Sequence, residues 1–149
     1  MEDNNFASVG VIVLKENKIL LVRHTYGSAA GMLLNPGGFI KQDELPTDAV
    51  KREVLEETGV IVNPVGMISI RCAPKNWYMV FLAEYVSGEP KSDGCENSEA
   101  IFMDCGELLQ REDATPTVKT LLKIALNKKP IIPVDAGNNR LLFLVNENL

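Results

Sequence analysis

Ser8 to Leu14 alternates small and β-branched residues, the polar Lys15-Glu16-Asn17-Lys18 follows, and an apolar run resumes at Ile19-Leu20-Leu21-Val22. Two such runs joined by a polar turn predict a β-hairpin. Thr25 to Gly31 is a Gly/Ala/Ser loop, and the Asn35-Pro36-Gly37-Gly38 stretch predicts a tight loop over 35–44. Pro46 suits a first helical turn, where its missing N–H costs nothing, and Gly59 is a natural stop, so a helix is expected at about 46–58. Val65 to Cys72 and Trp77 to Tyr85 read as two further strands, the second closed by Val86-Ser87-Gly88-Glu89-Pro90. After a polar loop from Lys91 to Ser98, Ala100 to Cys105 reads as a short strand and Gly106 to Gln110 as a turn or one-turn helix. Thr117 to Leu126 is amphipathic at helical spacing, with Thr115-Pro116 as its start signal and Asn127 as its end.

The first helix carries the chemistry. A helix turns about 100° per residue, so Glu53, Glu56 and Glu57 share one arc of roughly 100°. Like charges at these spacings repel by a few tenths of a kcal/mol per pair, so a cation is expected among them. Ala49 and Val50 project into the same arc, which a merely solvated acidic face would not show. An all-oxygen donor set suits a hard divalent ion, Mg²⁺ with Mn²⁺ as a substitute. The adjoining glycines permit close backbone approach to a ligand or positive φ.

Gly38, Glu44, Arg52, Glu53, Val54, Glu56, Glu57, Gly59 and Val60 complete one fixed pattern, G, five residues, E, seven residues, then R-E-V-L-E-E-T-G-V. At average composition such a match arises by chance in roughly one chain per 10⁷. The pattern resembles the signature of the Nudix hydrolases. That resemblance implies a single α/β domain, an α/β/α sandwich around a mixed β-sheet, spanning about residues 6–128. It implies that the Gly38 carbonyl, Glu53, Glu56 and Glu57 hold the metal, that Glu44 completes the set, and that Arg52 orients a carboxylate. It also implies cleavage of a phosphoanhydride in a nucleoside diphosphate linked to another group X. The general base is then Glu53 or a glutamate of the loop before a late strand, Glu96 or Glu99.

Composition narrows the class. A chain of 149 residues, 46% hydrophobic and 23% charged, fits one globular domain, and its net charge of −5 argues against a broad nucleic-acid surface. No apolar run reaches the length of a membrane span, and the acidic, polar start is unlike a secretory leader, so a cytoplasmic setting is expected. Cys72, Cys95 and Cys105 are odd in number and lack a zinc spacing, which predicts free thiols.

On the substrate side, Arg23 and His24 end the second strand and could meet a phosphate or base at a pocket mouth, or be ordinary surface residues. Phe39, Trp77 and Tyr78 could stack on a nucleobase or pack the core. Asn35 could touch a base edge or hold the turn. The tryptophan and leucine that many Nudix chains carry before the glycine turn are replaced by Leu33-Leu34-Asn35-Pro36. Tyr78 resembles the tyrosine placement of dinucleoside polyphosphate hydrolases, and Pro74 lies near the proline placement of ADP-ribose pyrophosphatases. The expected substrate is a small nucleotide, a nucleoside triphosphate or related derivative. ADP-sugar or dinucleoside polyphosphate hydrolysis, or nucleotide sensing without turnover, are the alternatives, and RNA cap hydrolysis is a third, weakened by the acidic balance and the absence of a basic tract. The tail, residues 129–149, has Asp135-Ala136-Gly137-Asn138-Asn139 between two apolar stretches. It predicts an extra hairpin that caps the sheet or pairs across a homodimer.

Overall fold

The computed structural model describes residues 5–145. The opening hairpin is β1 (Ala7–Lys15) and β2 (Lys18–His24), followed by β3 (Leu33–Leu34), β4 (Gly37–Phe39) and helix α1 (Pro46–Thr58). A long hairpin of β5 (Ile61–Ala73) and β6 (Asn76–Ser87) precedes β7 (Asn97–Asp104), α2 (Cys105–Gln110) and α3 (Pro116–Asn127). The tail forms β8 (Ile132–Asp135) and β9 (Leu141–Leu144), paired antiparallel as the expected hairpin.

The sheet is mixed, because β1 pairs antiparallel with β2 and parallel with β6 along Ala7 to Leu14. β1 and β2 pair only next to their turn, at Leu14 with Ile19 and Lys15 with Lys18. Beyond that point they splay, and the 33–39 segment fills the gap: β3 pairs with β2, and β4 pairs with β1. The loop expected over 35–44 is therefore partly strand. Glycine makes this possible, since a Cβ on Gly37 would meet the Val9 carbonyl oxygen and lie 3.0 Å from the Gly10 Cα. No hydrophobic period marks a three-residue strand with two glycines, so only the splayed neighbours reveal it.

Period-two alternation sorts β1 between two cores. Val9, Val11 and Val13 pack beneath α1 with Ala49, Val50 and Val54, while Ile12 faces the opposite core of Leu108, Val118 and Leu122. Helices thus cover both faces of one sheet, the α/β/α sandwich expected from the sequence. β5 begins four residues before the strand expected at Val65 and runs through Pro64. It lies at the edge of the sheet, where a missing N–H costs little, and its register shifts between Pro64 and Gly66. β7 likewise starts earlier than expected, at Asn97, and carries a register shift opposite Arg23 and His24.

Candidate active site

Helix α1 is entered through Pro46 and closed by Gly59 in the left-handed conformation, φ 75°, its N–H bonded to the Leu55 carbonyl. Packed on the sheet by Ala49, Val50 and Val54, the helix turns Glu53 and Glu57 inward, at 9% and 6% exposure, and leaves Glu56 at the solvent edge. The glycine strand β4 meets this face directly. A Cβ on Gly38 would lie 2.5 Å from the Glu53 carboxyl carbon, so a side chain there would push the carboxylate aside.

Arg52 organises the outer carboxylates. Its Nε and Nη2 donate to Glu44 at 2.7 and 2.8 Å, and its Nη1 donates to Glu53 at 2.8 Å and Glu56 at 3.2 Å. The Glu44 carboxylate also accepts from the Lys41 N–H, and the Arg52 pair holds it below the ordinary glutamate range. Burial pushes the Glu53 carboxyl upward, against the pull of Arg52. Glu57, farther in, accepts one long hydrogen bond among the described residues, 3.4 Å from the Gly37 N–H, and burial beside the Glu53 charge pushes it up to about 9. A buried carboxyl with so little donor support favours proton or cation as counterpart.

These groups line a cleft of about 550 Å³ with Gly38, Phe39, Arg52, Glu53, Glu56 and Glu57 on one side and Asp93, Cys95 and Glu96 opposite. Among the described residues no three His, Cys, Asp or Glu side chains yet close into a metal cage, and Arg52 draws Glu53 and Glu56 toward itself. The donor chemistry nonetheless fits a divalent cation. It is all oxygen, it is anionic in excess of the one arginine, and its innermost carboxyl accepts a single long hydrogen bond among the described residues. A second cleft, about 480 Å³, shares Tyr26, Gly37, Gly38 and Phe39 with the first and extends over Val9, Leu34, Asn35 and Tyr78 to Arg71. The site therefore has an acidic end and a largely apolar end joined at the glycine strand.

The residues singled out in the sequence divide clearly. Gly38, Glu53, Glu56, Glu57 and Glu96 line the acidic cleft, and Glu44 stands behind it as the partner of Arg52. Glu99 lies elsewhere: it faces Arg23 across the β2–β7 ladder and accepts its Nε at 3.0 Å. Arg23 also donates to Asp113 at 3.0 Å and to the Gly31 carbonyl, and neither Arg23 nor Glu99 lines either of the two clefts. His24, Asn35, Phe39 and Tyr78 all line the apolar cleft. Burial lowers the His24 imidazole, opposed by the charges of Glu96 and Asp93. Trp77 packs instead on Phe6, ring centroids 5.3 Å apart. Sequence reasoning missed Tyr26, which borders both clefts and stacks on His24 at 5.1 Å. Its only signal was a single aromatic inside a loop of small residues.

The profile of the NUDIX domain matches residues 4–123. The chain belongs to the Nudix family. The stretch from Gly38 to Val60 is its Nudix box, and the geometry above is that of the box and its surroundings. An ADP-ribose pyrophosphatase of Methanocaldococcus jannaschii is 33% identical over 107 residues, covering 68% of this chain and 63% of the relative. An NAD-capped RNA hydrolase NudC of Photobacterium profundum is 39% identical over 100 residues, covering 66% of this chain and 37% of the relative. The chain thus spans less than two thirds of the length of these curated relatives. In fold, a NUDIX hydrolase from Nitrosomonas europaea superposes with a TM-score of 0.73 at 24% identity, over 87% of this chain and 77% of that one.

Proposed function

We propose that this Nudix chain is a divalent-metal-dependent pyrophosphohydrolase acting on a nucleotide whose diphosphate joins the nucleoside to a second group X. The observation that carries the reading is the continuity of the two clefts. Carboxylates from α1 and from the loop before β7 meet at one end, and a pocket large enough for a base or sugar opens from the other. Glu53, Glu56 and Glu57, with Gly38 beside them, would hold Mg²⁺ or Mn²⁺. A bound divalent ion supplies charge neutralisation on the anhydride oxygens and lowers the pKa of water.

The chain's own residues would do the rest. Arg52 holds Glu44 and Glu53 beside the cleft, and Glu53 and Glu56 would turn from it toward the metal as the ion binds. Glu96 faces the box carboxylates from across the cleft and is the assigned general base, with Glu53 the alternative; Glu99 is occupied by Arg23. The names of the two curated relatives, an ADP-ribose pyrophosphatase and an NAD-capped RNA hydrolase, favour ADP-ribose or an NAD-linked substrate over nucleoside triphosphates.

A metal-supplemented screen with product identification tests the reading, using ADP-ribose, NADH, nucleoside triphosphates, nucleotide sugars and dinucleoside polyphosphates. Release of a nucleoside monophosphate from ADP-ribose or NADH, dependent on Mg²⁺ or Mn²⁺, is expected. Absence of turnover on every substrate, with nucleotide still binding, would transfer the protein to the sensing class.

A further inference from the structure

The floor of the apolar cleft holds a polar pair whose hydrogen bonds are only half used. Asn35 is 6% exposed, and its Nδ2 donates both to the Pro36 carbonyl and to the Tyr78 hydroxyl, each at 3.1 Å. Those two bonds fix the amide orientation, because reversing it would set Oδ1 against a carbonyl oxygen. The Asn35 Oδ1 therefore points away from Pro36. It accepts no bond among the described residues, yet it is not a sealed orphan, since no buried polar side-chain atom lacks a partner. An acceptor without a partner among the described residues and not walled off is reached by solvent, and Asn35 lines this cleft. Tyr78 is the complement: its oxygen receives the Asn35 proton, so its own proton must go elsewhere, and it meets no protein acceptor among the described residues. The backbone makes room for this pair, because a Cβ on Gly10 would overlap the Tyr78 hydroxyl and lie 2.8 Å from Asn35 Nδ2.

We infer that Asn35 and Tyr78 form a recognition pair for the edge of a planar heterocycle, Asn35 Oδ1 accepting from a ring or exocyclic N–H and the Tyr78 hydroxyl donating to the neighbouring acceptor. The ligand class is a nucleobase, each of which presents an adjacent donor and acceptor on its pairing edge. Apolar Val9 and Leu34 and the exposed ring of Phe39 supply the surfaces a flat ring needs. The inference rests on the hydrolase reading for the identity of the cleft and adds to it the residues that select the base.

The test needs neither metal nor turnover, so its outcome is independent of whether an anhydride is cleaved. Calorimetric Kd values for AMP, GMP, CMP, UMP and ribose 5-phosphate would be compared in wild type, Tyr78→Phe and Asn35→Leu. At least one nucleotide should bind wild type roughly tenfold or more tighter than ribose 5-phosphate, the worth of about one well-made buried hydrogen bond. Each variant should weaken binding of that nucleotide roughly fivefold or more, while the ribose 5-phosphate Kd stays unchanged. If Asn35→Leu fails to fold, wild type is titrated with the preferred nucleotide in which methyl groups replace every hydrogen on the edge nitrogen, which should bind roughly fivefold or more weaker than the parent nucleotide. No base preference in wild type, or a full preference kept by a folded variant or by the methylated nucleotide, overturns the inference.

Discussion

Glu57 is the carboxyl whose surroundings differ most from water, and two consequences belong to the residue itself. Burial holds it protonated up to about 9, whereas in the unfolded chain it ionises near an ordinary glutamate value of about 4.3. Between those values the folded protein binds the extra proton, so stability is fully present below the lower one and is lost as pH rises through the upper. The melting temperature of metal-free protein should therefore fall from pH 5 to pH 9, by about 2–4 °C per kcal/mol. Glu57→Gln should flatten the slope, and a wild-type slope kept in that variant would contradict the burial argument. A second expectation is catalytic. Glu56→Gln and Glu57→Gln should each lower kcat by roughly 10² or more without unfolding the chain. Glu96→Gln should reduce kcat far more than Glu99→Gln, whose carboxylate is held by Arg23; steady-state rates at saturating Mg²⁺ decide both. The box carboxylates could be found from the sequence because residues on one helix keep a fixed angular relation. The separation of Glu96 from Glu99 could not, since it depends on where β7 begins against β2.

At the scale of elements, α1 was readable from its end signals and β4 was not. Pro46 and Gly59 bound the helix through local backbone rules that need no tertiary partner. β4 exists because β1 and β2 diverge and leave unpaired backbone for the glycine segment to satisfy. The two kinds of glycine should respond differently to alanine. Gly59→Ala meets nothing closer than a carbonyl oxygen at 3.7 Å and bears only its left-handed φ, a cost of about 1–2 kcal/mol. Gly37→Ala drives a methyl into the β1 backbone, which cannot yield as a side chain tip would. Its loss should exceed that of Gly59→Ala in urea denaturation, at roughly 2–3 kcal/mol or more. Equal midpoints for the two variants would mean that β4 shifts freely and does not fix the site.

For the molecule as a whole, the tail is the informative part. Met67 and Ile131 exchange backbone hydrogen bonds at 2.9 and 2.8 Å, and Phe143 packs on the buried Phe81 with centroids 5.9 Å apart. These contacts favour the capping role over pairing across a dimer. Phe143→Ala should cost roughly 1–2 kcal/mol, as expected for a partly buried aromatic, and leave the sedimentation coefficient unchanged. A change of oligomeric state at constant stability would reverse that assignment. The chain's order of residues was enough to determine the family, both major helices, the principal strands and the acidic stripe, because each is a short-range or fixed-spacing property. Tertiary structure alone decided which carboxylates share a cleft, which arginine is spent on an ion pair, and how Asn35, Gly10 and Tyr78 come together. Those groups are brought together by strand register and by the splay of β1 from β2, and such long-range pairings leave no periodic trace along the chain.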